Sequence, residues 1–219
     1  MPALLALIFD VDGTLVDSND AHARSWVDAL REAGIAAELA TVRRLIGMGG
    51  DKLLPRISGL SAESDQGKKI VGRRSEIFRT IYQKTVRAFP GSRELFLALT
   101  GDGVRLAVAS SAREDELEPL LDIAGVKDLV EQKTSSSDVE SSKPDPDVVR
   151  AAIDRLRVAP ATTWLVGDTP YDLEAARRAG VGFIGFRSGG WTDTDLAGAS
   201  AIFDGPAAML AARAWRAWR

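Results

Sequence analysis

Hydrophobic residues along this chain gather in short unbroken runs separated by polar, turn-rich stretches. Residues 4–9 (LLALIF) form the first such run. A continuous apolar segment of strand length is the pattern of a strand buried on both faces. The pattern returns at 104–109 (VRLAVA), 163–166 (TWLV) and 181–186 (VGFIGF), and a short last strand is expected at 201–203. Helical periodicity falls between them, at 93–100, 115–124, 145–157 and 171–179. Strand and helix in alternation predict an α/β fold with a doubly wound parallel sheet.

Residues 18–88 break the alternation. They hold no convincing strand and read as helices at about 19–33, 37–46, 51–58 and 64–86. The side chain of Asp17 or Ser18 is expected to cap the first of these, accepting from an orphan backbone N–H. An all-helical insert directly after the first strand reads as a lid on a core built from residues 1–17 and 89–219. The sequence FPG at 89–91 marks the return to the core, and the joints near Asp17 and Pro90 are expected hinges. The C-terminal MLAARAWRAWR is expected to be one helix whose Trp215 and Trp218 form a packing stripe.

Composition narrows the classes. The 219 residues are 45% hydrophobic and 27% charged, ordinary globular values, with room for a full core and a second small module. A net charge of −3 gives no general attraction to nucleic acid or to an anionic membrane. With no cysteine, disulfides and thiolate metal sites are excluded. The first apolar run is too short to span a bilayer, lacks a basic flank and runs straight into Asp10 and Asp12, unlike a signal peptide. A soluble cytoplasmic protein is expected. Nothing in the pattern selects a monomer or a dimer.

Ligands of open parallel sheets collect beyond the carboxyl ends of the strands. The first predicted strand is followed by Asp10 and Asp12, and the second by Ser110 and Ser111. Lys143 stands in SSKPDPD before a helix, and the TWLV strand leads into GDTPYD with Asp168 and Asp172. Four carboxylates converging on one rim would repel each other into protonation or apart. A hard divalent cation is the natural remedy, and Mg2+ takes one or two carboxylates together with phosphate oxygens. A metal, an ammonium and a hydroxyl are also what a phosphoryl group requires. A small phosphorylated metabolite is therefore the expected substrate.

In order and spacing, DVDGTLVDS, VASS, SSKPDPD and GDTPYD resemble the four motifs of the haloacid dehalogenase (HAD) superfamily. The resemblance covers nearly the whole chain and is similar to the branch of phosphoglycolate phosphatase-like and beta-phosphoglucomutase-like proteins. It implies a Rossmann-like core with an inserted α-helical cap and an Mg2+ cofactor. It also implies a role for each matching residue. Asp10 is the nucleophile that becomes an aspartyl-phosphate, and Asp12 is the general acid and then the base. Ser110 holds phosphoryl oxygens and Lys143 offsets charge. Asp168 binds the metal with Asp10 and the backbone carbonyl of Asp12. Asp172, with Ser111, is expected in support, orienting a metal-bound water or Lys143. The acid at position 12 separates phosphomonoesterases and mutases from the true dehalogenases, the phosphonate-cleaving branch and the P-type ATPases, which lack it. In the insert, His22 in NDAHARSW resembles a histidine near the hinge of the mutase branch. Gly49, Gly50 and Lys52, in the glycine-rich LIGMGGDKL, are further candidate substrate contacts.

The expected activity is thus Mg2+-dependent hydrolysis of a small phosphate monoester. A sugar-phosphate mutase using the same residues is the alternative. A response-regulator-like phosphoacceptor fits less well, because its acceptor ends a middle strand and needs no acid two residues on. A binding protein without catalysis fits less well too, because every expected catalytic residue type is present.

Overall fold

A computed structural model describes residues 4–218. Residues 1–3, and Arg219 at the end of the predicted C-terminal helix, lie outside them. The elements in chain order are β1 (Ala6–Phe9), β2 (Val16–Asp17), α1 (Asn19–Glu32), α2 (Leu39–Arg43), α3 (Gly50–Ser58), α4 (Asp65–Ile77), β3 (Arg87–Ala88), α5 (Ser92–Gly101), β4 (Arg105–Ala109) and α6 (Glu114–Ala124). They continue with β5 (Gln132–Thr134), α7 (Asp147–Leu156), β6 (Thr163–Gly167), α8 (Pro170–Ala179), β7 (Gly182–Phe186), β8 (Ala201–Phe203) and α9 (Pro206–Ala212).

The chain divides into two compact units: Ser18–Val86, and the remainder on either side of it. In the discontinuous unit six parallel strands form a sheet in the order β5-β4-β1-β6-β7-β8. β1 lies between β4 and β6, where the strand order reverses, and its four residues are fully enclosed. Leucine, isoleucine and phenylalanine on both faces of one short strand explain the unbroken apolar run. Ile8, Ala107 and Leu165 on the sheet pack with Val148, Val149 and Leu156 of α7.

Two short pairings escaped the hydrophobic pattern. β5 (QKT) is an edge strand with few apolar residues, and β2 pairs antiparallel with β3 over only two residues each. The C-terminal segment is also not one helix. α9 ends at Ala212, the next residue Arg213 breaks the helix with a φ of 46°, and a short 3-10 turn follows over Ala214–Ala217. The tryptophans still pack: Trp215 is buried with its Nε1 donating to Asp102 at 2.9 Å, and Trp218 lies against Trp164 at 4.4 Å between ring centroids.

The helical unit has its own apolar centre. Trp26 and Leu30 of α1, Leu53 and Leu54 of α3, and Ile70 and Ile77 of α4 meet there. The helix expected over 64–86 stops at Ile77 and continues as a π turn over Phe78–Tyr82 and a 3-10 turn over Gln83–Thr85. Intrinsic propensity does not explain the change, because the α-helical DQGKKIVGRRSEI itself holds two glycines. Ser18 occupies the N-cap of α1, but its side chain makes no cap hydrogen bond, contrary to the expectation for this position. Among the described residues no helix is long and apolar enough to cross a membrane.

Candidate active site

Sheet register puts the polar residues of the α/β unit on one rim. Phe9 of β1 aligns with Val108 of β4 on one side and Val166 of β6 on the other. The chain beyond those strands therefore delivers Asp10, Ser110 and Asp168 to the same edge. The Asp10 backbone N–H donates to the Val166 carbonyl at 2.8 Å, which extends the strand to the acidic residue itself.

There the carboxylates of Asp10, Asp168 and Asp172 converge, with one oxygen from each lying within 4.8 Å of the others. All three are buried, and so is Lys143, at 0% exposure. Lys143 Nζ lies 2.5 Å from Asp10 Oδ1 and 2.8 Å from Asp172 Oδ1. Burial pushes the Asp10 carboxyl well above the usual carboxylate range. Lys143 opposes that rise, while Asp172, Asp168 and Asp12 add to it. Burial by itself would lower the Lys143 ammonium, but Asp10 and Asp172 more than reverse this, and its pKa is raised.

With all three carboxylates ionised, one ammonium would leave a surplus of two negative charges. An oxygen-only, buried donor set with that surplus suits a hard divalent cation, so these residues fit the group expected here.

Thr14 was not singled out as a site residue in the sequence. Its hydroxyl donates to Asp168 Oδ1 at 3.0 Å and approaches Asp10 Oδ2 at 3.4 Å, bridging the ends of β1 and β6. The signal available was a hydroxyl four residues after Asp10, next to Gly13, whose φ of 78° turns the chain back. Asp172 has two engagements. Its Oδ1 faces Lys143, while its Oδ2 accepts from the backbone and hydroxyl of Thr169 in a capping box at the start of α8. Gly167 makes this packing feasible, because a Cβ there would lie 2.6 Å from both Cβ and Cγ of Asp172.

Asp12 is half-buried and forms an isolated bridge with Val16. Its carboxylate is not among the three that converge. Ser110 is fully buried, and its Oγ accepts from the Ala112 N–H at 3.0 Å, which leaves the hydroxyl proton to donate elsewhere. Ser111 is half-buried beside it.

The remaining candidates belong to the helical unit. His22 is buried and stacks on Phe78 at 3.9 Å, with its Nδ1 2.5 Å from a guanidinium nitrogen of Arg74. That partner is 52 residues away and left no mark in the local sequence. Gly49 is the N-cap of α3 and Gly50 its first residue. A Cβ at Gly50 would come within 3.2 Å of the Trp26 ring, so close helix packing accounts for glycine there. Lys52 lies 3.8 Å from its neighbour Asp51.

Comparison with known proteins gives the family. The family described as haloacid dehalogenase-like hydrolase matches residues 7–186. The phosphoglycolate phosphatase of Nitrosospira multiformis is 33% identical over 180 residues, covering 80% of this chain and 79% of that protein. The phosphoglycolate phosphatase of Rhodospirillum rubrum is 32% identical over 209 residues, covering 91% and 86%. Among solved structures, a hydrolase from Pseudomonas syringae superposes with a TM-score of 0.89 at 27% identity, covering 95% of this chain and 97% of its own. With a match over most of its length, from β1 through β7, the chain belongs to the haloacid dehalogenase-like hydrolase family.

Proposed function

We propose that this protein is an Mg2+-dependent phosphoric monoester hydrolase acting on a small phosphorylated metabolite, phosphoglycolate-like in size, through an aspartyl-phosphate at Asp10. The observation that carries the reading is the buried contact of Lys143 with Asp10 beside Asp168 and Asp172. It pins one oxygen of the Asp10 carboxylate against an ammonium and leaves the other for chemistry.

Asp10 and Asp168 would hold the metal through side-chain oxygens, together with the backbone carbonyl of Asp12. When bound, Mg2+ supplies positive charge to the phosphoryl oxygens. Asp172 already holds Lys143 and caps α8, so its assigned role is to orient the ammonium. In the first step a carboxylate oxygen of Asp10 bonds to phosphorus as the ester P–O bond breaks, and Asp12 gives its proton to the departing alcohol oxygen. In the second, water bonds to phosphorus, Asp12 takes its proton, and the bond to Asp10 breaks. Lys143 and the Ser110 hydroxyl balance charge on the transferring group in both steps. Ser111 supports that rim.

The helical unit is assigned as the family's cap, with Gly49 and Lys52 as its candidate substrate contacts. The phosphatase names of the relatives above 30% identity favour hydrolysis over the mutase alternative.

The test is phosphate release from a panel of small esters, including phosphoglycolate and a hexose 1-phosphate, with Mg2+ or with EDTA. Release that needs Mg2+ and falls at least about 10⁴-fold in Asp10→Asn is the expected outcome, since an amide cannot take the place of the nucleophile. Conversion of hexose 1-phosphate to 6-phosphate without free phosphate would establish the mutase instead.

A further inference from the structure

We propose that Gly189 is a positioning residue for Asp168, and that the loop after β7 fixes where this carboxylate stands. The proposal rests on the reading of Asp168 as a metal ligand.

A Cβ built on Gly189 would lie 1.8 Å from Asp168 Oδ2, 2.5 Å from its Cγ and 2.7 Å from its Cβ. Three atoms along the side chain are in contact range, so rotation of the carboxylate alone would not clear the space. Asp168 is completely buried, and its other oxygen, Oδ1, accepts from Thr14 at 3.0 Å. One oxygen is therefore held by the loop after β1, and the other abuts the backbone after β7.

The need for glycine here is one of space rather than backbone conformation. The turn is made by Gly190, with φ 83°, whereas Gly189 ends the 3-10 turn Arg187–Gly189 and has no left-handed φ. Alanine could adopt its backbone without strain. The loop is anchored by the two residues just before the contact. Ser188 Oγ donates to the Gly13 carbonyl at 2.6 Å, next to Thr14. Arg187 bonds Asp193 at 2.6 Å and Asp204 at 2.7 Å. A side chain at 189 must displace Asp168 from the carboxylate cluster or tear the loop from these anchors.

The Arg187 pairs are partly exposed and individually weak, so the two responses compete, and measurement decides between them. Titration of MgCl2 into the wild-type protein and into Gly189→Ala by calorimetry reads the placement of the ligand directly. Displacement of a supporting group behind a metal ligand weakens affinity by about 10- to 100-fold, and that is the expected change. A dissociation constant within twofold of wild type would overturn the proposal.

A thermal double-mutant cycle with Asp168→Ala provides a second readout that needs no metal. Asp168→Ala removes the two closest of the three contacts, so Gly189→Ala should cost clearly less stability in that background. An equal cost in both backgrounds would overturn the contact. Should Gly189→Ala fail to fold, the double variant is expected to fold, and its failure while Asp168→Ala folds would equally overturn it. If the wild type itself takes up no Mg2+, the metal reading of the site fails, while the cycle still decides whether Gly189 places Asp168.

Discussion

The two units of this protein treat charge in opposite ways. In the α/β unit, Asp10, Lys143, Asp168 and Asp172 are buried at the strand ends, with Lys143 and Asp168 at 0% exposure. In the helical unit the centre is Trp26, Leu30, Leu53, Ile70 and their neighbours, and the described ion pairs lie at the surface. Arg73 meets Glu32 there at 2.6 Å, with side chains 42% and 48% exposed. Residue types are shared, but among the described residues buried carboxylates and a buried ammonium occur in the first unit alone, while Arg74 of the second is half-buried against His22 and the Trp26 and Phe78 rings. Such burial is weak evidence of a stabilising role. It fits a site in which an orienting ammonium and a reactive carboxylate must hold fixed positions.

The sharpest way to break this comparison is to remove the buried cation. Lys143→Met leaves Asp10 and Asp172 without their ammonium, and loss of one partner of a buried pair costs about 3–5 kcal/mol. Urea denaturation in EDTA should show that loss, and added Mg2+ should narrow it, because a bound cation supplies charge to the same carboxylates. The counterpart in the helical unit is Arg73→Ala. Removing one side of an exposed pair is expected to move the urea midpoint far less, with no response to Mg2+. Equal losses in the two variants would erase the distinction between the units.

The smallest expected effect lies in the C-terminal segment and depends on pH. Hydrogen bonds from Arg216 and then Trp215 lower the Asp102 pKa from 3.8 to about 2. A carboxyl depressed in the folded state contributes stability that is fully present above its unfolded pKa and is lost as pH falls through the folded one. The deficit of Asp102→Asn relative to wild type should therefore be constant near neutrality and shrink below about pH 4. Urea midpoints across that range measure it. A deficit that grows on acidification would contradict the assignment.

How much of this was legible in the sequence follows from whether the signal is local. β1, β4, β6 and β7 were readable because strands enclosed on both faces need continuous apolar runs. β5, an edge strand reading QKT, carries no such run. The rim residues Asp10, Ser110 and Asp168 were legible because register and strand ends bring them together. Pairings that depend on tertiary contact were not. His22 and Arg74, 52 residues apart, are the example, whereas Lys143 was placed on the Asp10 rim through its motif although 133 residues separate the two. Gly189 carries no mark of its own in RSGG, because the carboxylate that fills the place of a side chain there belongs to another loop.

The claim at the centre of this account is that Asp10 forms a bond to phosphorus. Borohydride converts an acyl phosphate to an alcohol, so quenching the protein with it during turnover of a phosphate ester, followed by peptide mass spectrometry, reads that bond directly. The account predicts reduction of Asp10 to homoserine, dependent on both Mg2+ and the ester. Turnover with Asp10 unreduced, or with reduction at a different aspartate, would contradict it.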